Sequence, residues 1–72
     1  MKKNYLSFKR HFIDLASQRG IDLDFYFTEF TYIRLYLEII VRYNNVAPSS
    51  LSYDDIHNIL NIILYEGVKN ES

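Results

Sequence analysis

An all-α fold, a small three-helix bundle, is what this 72-residue sequence predicts, and three observations predict it. Apolar residues recur at steps of three and four in three segments, the spacing of one face of an α-helix. Two punctuation points, Gly20 and the turn-rich run 44–52, separate those segments. The composition is 49% hydrophobic and 17% aromatic with two glycines and one proline, that of a globular rather than a disordered chain.

The first helix is expected near residues 4–19. Tyr5, Phe8, Phe12 and Leu15 step along one face, and Leu6 and Ile13 form a second ridge with Lys9 between the two. Asn4 is placed to cap its start, and Gly20 followed by Ile21 reads as a left-handed stop with its hydrophobic contact.

The second helix is expected over 22–44. Within it, Ile33-Arg34-Leu35-Tyr36-Leu37-Glu38-Ile39 alternates like a half-buried strand, but Ile40 falls on the polar parity and a strand of this length would be unusual. Read as a helix, Asp24, Thr28, Thr31, Arg34, Glu38, Arg42 and Asn45 form one polar stripe, with Arg34, Glu38 and Arg42 spaced for ion pairs.

Pro48 then forbids helix continuation. Ser52-Tyr53-Asp54-Asp55 resembles a capping box that opens the third helix, near 53–66. Ile56, Ile59, Leu60 and Ile63 give its core face, Gly67 ends it, and 68–72 form a frayed tail behind a single domain at 1–67.

The apolar arc of the second helix covers about 240°, where a surface helix shows a stripe upward of about 100°. A long apolar central helix of this kind needs more cover than two neighbours supply. Tyr32, Tyr36, Ile39 and Tyr43, with Leu35 beside them, step 4, 3, 4 like a heptad seam, and Ile62 and Tyr65 lie off the core face of the third helix. The seven residues are therefore the expected partner-binding surface, most simply for a second copy of this chain. Phe30, Ile33, Leu37 and Ile40 are expected to face the core.

Near 72 residues a core is marginal without a staple, and no cysteine is present to supply a disulfide or a thiolate metal site. Lys2, Lys3, Lys9, Arg10 and Arg19 against Asp14 make residues 1–20 net +4, while eight acids against three bases make 21–72 net −5. Lys2, Lys3, Lys9 and Arg10 form a candidate site for an anionic partner, and a nucleic-acid binder is the alternative function. Asp54 and Asp55 at the start of the third helix oppose a recognition helix, and the linker 44–52 is longer than a helix-turn-helix turn.

Lys9 and Arg10 break any leader-like apolar run, and Arg34, Glu38 and Arg42 break the one segment long enough for a bilayer, so a soluble cytoplasmic protein is expected. No GxSxG, P-loop, GxGxxG or HExxH pattern occurs, so neither catalysis, cofactor nor small-molecule substrate is expected. Asp54, Asp55 and His57 read as a solvated helix start rather than as metal ligands, and His11 as a surface residue. The expected function is protein–protein interaction: a regulator, adaptor or inhibitor of a larger protein, a class that includes immunity-like and phage-encoded antagonists, acting as a homodimer.

Overall fold

The computed structural model describes the backbone of residues 2–71 and the side chains of residues 4–65. In chain order it forms α1 (Lys2–Gln18), α2 (Leu23–Tyr26), α3 (Glu29–Arg42) and α4 (Tyr53–Glu71), with a 3-10 turn at Pro48–Ser50. No strand occurs among the described residues. The three long helices pack pairwise on one another, and α1 also carries α2 and the 3-10 turn. The chain is thus the small all-α bundle that its periodicity predicts.

Phe8, Phe12 and Ala16, at steps of four on α1, are buried against Tyr32, Leu35, Tyr36 and Ile39 of α3 and Ile56, Ile59, Leu60 and Ile63 of α4. Tyr5, Ile13 and Leu15 are half-buried at its margin, and Leu6 is exposed. Gly20 ends α1 in the left-handed region at φ +76°. The Ile21 N–H donates to the Ala16 carbonyl at 2.9 Å and the Gly20 N–H to Ser17 at 3.0 Å, a Schellman closure. No atom lies within 4 Å of where a Cβ would sit on Gly20, so its φ alone demands glycine there.

The long central helix does not form. α2 ends after one turn, Phe27 and Thr28 are extended (ψ 144° and 169°), and α3 starts afresh with 14 residues. The cause is local chemistry. Thr28 Oγ1 accepts the Thr31 N–H at 3.3 Å, an N-cap. Phe27 before the cap packs edge-on against Tyr32 four residues after it, ring centroids 5.4 Å apart, a hydrophobic staple. Cap and staple together satisfy a helix start more fully than four further residues of mediocre helix formers would satisfy a continuous helix.

Ser52 caps α4 as its sequence predicts, accepting the Asp55 N–H at 3.2 Å. The helix runs past Gly67 to Glu71, and the tail expected at 68–72 has side chains outside the described residues. His11 corrects another expectation, since it is half-buried and donates from Nε2 to the Leu51 carbonyl at 2.7 Å, tying α1 to the end of the 3-10 turn.

Candidate partner-binding surface

The seam expected on the surface lies in the core. Tyr32, Leu35, Tyr36 and Ile39 are 0–6% exposed, and Tyr43 is half-buried against them. The residues expected in the core face outward instead: Phe30 is 72%, Ile33 41% and Leu37 50% exposed, joined by Val41 at 75%, with Ile40 half-buried. The heptad spacing marks a real packing seam, but α1 and α4 of the same chain fill it.

The reversal has a physical reason. The sequence reading set the core opposite the polar stripe, whereas the stripe runs along the edge of the core. Thr31 and Glu38 are half-buried there. Glu38 accepts from Arg42 Nε at 2.8 Å, which keeps the charged heads wet while their stems cover apolar surface. The tyrosines also choose the inner side because each finds a partner there. Tyr32 donates to Asp24 Oδ1 at 2.9 Å, and Tyr36 meets Tyr5 edge-on at 5.5 Å and Phe8 at 5.6 Å.

A polar clasp holds the start of α3 in this orientation. Glu29 accepts from Tyr5 on one carboxylate oxygen and from Lys9 Nζ at 2.7 Å on the other, and Lys9 sits 4.8 Å above the Tyr32 ring. The Lys9 contact, then the Tyr5 hydroxyl, holds the Glu29 carboxyl below its usual range. Burial, then the carboxylate each one faces, pushes the Tyr5 and Tyr32 hydroxyls well above the ordinary tyrosine range.

The clasp bears on the basic cluster too. Lys9 is engaged by Glu29 and Arg10 is exposed, while the side chains of Lys2 and Lys3 lie outside the described residues. On α4, Ile62 is 37% and Tyr65 69% exposed. Tyr53 stacks on His57 at 5.6 Å beneath Arg19, whose guanidinium is 4.4 Å from the Tyr53 ring and 3.6 Å from Asp54. These contacts engage Asp54 and His57, while Asp55 gives its backbone N–H to the Ser52 cap. No group of three metal-ligating side chains occurs among the described residues.

A groove of about 350 Å³ lies between the ends of α1 and α3 and the loop before α4. Asn4, Ser7, Tyr36, Tyr43, Asn44 and Pro48 are among its lining, which holds no charged side chain among the described residues.

What remains is one face of α3. Phe30, Ile33, Leu37 and Val41 step 3, 4, 4 along it, with no charge among them. Phe25 and Tyr26, in edge-on contact at 5.2 Å, stand exposed just before its first residue in the chain. Sequence reasoning had the signal for the restart of α3, though not for which side of it turns outward, in Phe27-Thr28-Glu29, a staple residue, a cap and an acidic first turn. No helix among the described residues is long and apolar enough to cross a membrane. No family model, curated protein or solved structure matches this chain.

Proposed function

We propose that this chain acts by docking another protein through the outer face of α3, as a regulator, adaptor or inhibitor and without catalysis of its own. One observation carries the reading. A helix that already fills the core with one side presents Phe30, Ile33, Leu37 and Val41 to solvent on the other. Contiguous exposed apolar faces rimmed by polar residues mark interaction sites. Aromatic side chains are enriched in such sites and charged ones depleted, as on this face.

The expected compartment stays the cytoplasm. The anionic-partner alternative keeps Arg10 but not Lys9, whose ammonium is engaged by Glu29.

The test is differential capture. Wild-type chain and a Leu37→Glu variant serve as baits in extract of the source cell, with mass spectrometry of what each retains. Proteins held by wild type and lost by the variant support docking on this face. Identical sets from both baits contradict it. Circular dichroism of the variant guards against mere unfolding.

A further inference from the structure

We propose that the occupant of the outer α3 face is a second copy of this chain, with the two α3 helices antiparallel about a twofold axis between Ile33 and Leu37. The proposal rests on the docking reading and deepens it by naming the partner.

Apolar content is the first argument. Phe30, Ile33, Leu37 and Val41 are 72%, 41%, 50% and 75% exposed along one side of α3. Four large side chains in one uncharged row supply the apolar centre that an interface between two copies needs.

Self-complementarity is the second. With the axis midway between residues 33 and 37 to within one residue, Ile33 meets Leu37 of the other copy and Phe30 meets Val41. Each large side chain at one end of the face then lies against a small one at the other. A twofold pairing also closes, using the same patch on both copies, and leaves no sticky end to propagate.

Charge is the third. Arg34 and Glu38 lie on the same flank of the face, and an antiparallel twofold brings like flank to like flank. At this register Arg34 of one copy stands within about one residue, or 1.5 Å along the axis, of Glu38 of the other, twice over. A carboxylate accepts several donors, so Glu38 keeps its Arg42 contact while taking Arg34. Arg34 has no such contact within its own chain among the described residues. A parallel pairing would miss both of these arrangements. An anionic membrane is a poor occupant by the same reasoning, because residues 21–72 carry eight acids against three bases.

Sedimentation of the full chain from low to several hundred micromolar tests the proposal, together with disulfide trapping. The sequence holds no cysteine, so an introduced thiol is the only one present. Wild type should move from monomer to dimer with concentration, and Leu37→Glu should weaken association at least tenfold. Arg34→Glu should weaken it less, and adding Glu38→Arg should restore it, a rescue that no folding defect imitates. Mixed Phe30→Cys and Val41→Cys chains should oxidise to the mixed disulfide in preference to either symmetric one. A wild type that stays monomeric throughout, a symmetric Val41→Cys disulfide in excess, or no rescue on swapping the charges overturns the antiparallel pair. Should self-association fail while Leu37→Glu still loses a captured protein, docking stands and only the identity of the occupant falls. Should both fail, the docking reading falls with it.

Discussion

Along α3, Tyr32, Leu35, Tyr36 and Ile39 lie against α1 and α4, whereas Phe30, Ile33, Leu37 and Val41, turned about 150° around the same helix, face outward. Both faces are apolar, both carry aromatic rings, and both step at helical spacing. Apolar character therefore did not decide which one became core. Three polar details did: the Thr28 cap that restarts the helix, the Asp24 carboxylate that takes the Tyr32 hydroxyl, and the Tyr5–Glu29–Lys9 clasp. The cap fixes where α3 restarts, while the Asp24 contact and the clasp fix its rotation about its own axis and would be broken by turning the helix over. Burial of an aromatic hydroxyl requires a partner, and on the inner face the Tyr32 hydroxyl has one in Asp24.

The largest effect expected from breaking this comparison comes from charge. Leu35→Lys with Ile39→Lys places two ammonium groups in the core, which exceeds the roughly 5–15 kcal/mol that holds a small domain together. Far-UV circular dichroism should show loss of the fold. Leu37→Lys with Val41→Lys on the outer face should leave the helical signal intact. A folded inner-face variant would mean that the seam is a surface after all.

Next comes the restart of the helix. Thr28→Ala removes the side-chain oxygen that takes the Thr31 N–H and should cost about 1 kcal/mol in urea melts. Thr28→Ser keeps that oxygen and should cost a small fraction of this. Equal losses for the two would show that the Thr28 methyl, rather than the cap, supports α3.

A pH series separates the hydroxyl contacts from packing. Tyr5 and Tyr32 ionise above their ordinary value of 10.0 in the folded chain, so the folded state holds their protons after the unfolded state has released them. Stability is then complete below about pH 10 and declines as pH rises further. Tyr32→Phe should flatten part of that decline, and tyrosinate absorbance should show two late-titrating rings in the native chain. Glu29 works in the other direction. Its lowered pKa lends stability at neutral pH that is lost as pH falls below about 4.5.

The helices themselves were legible in the sequence because each rule involved is local. Gly20, Ser52 and the Ile56–Ile59–Leu60–Ile63 ridge act within a turn or two of themselves, and all stand in the structure as their spacing predicts. The rotation of α3 was not legible, because it depends on Tyr5, Lys9 and Asp24, which reach it from other elements. A wheel drawn over 22–44 also joined α2 to α3 and so hid the cap. Phe27-Thr28-Glu29 carried that information, but the mostly unbroken apolar run around it outweighed three residues. His11 was missed for the same reason as the clasp, since its partner Leu51 lies 40 residues away.

The assignment of inner and outer faces is tested most directly by a single pair of truncations, Leu35→Ala and Leu37→Ala. Each is unfolded in urea at a protein concentration low enough that the midpoint no longer moves on dilution, so that only the monomer is read. Leu35→Ala should lose about 2–5 kcal/mol, the cost of a core cavity. Leu37→Ala should stay within about 0.5 kcal/mol of wild type, as surface substitutions do. Comparable losses for the two, or the larger loss at Leu37, would contradict this assignment of the two faces.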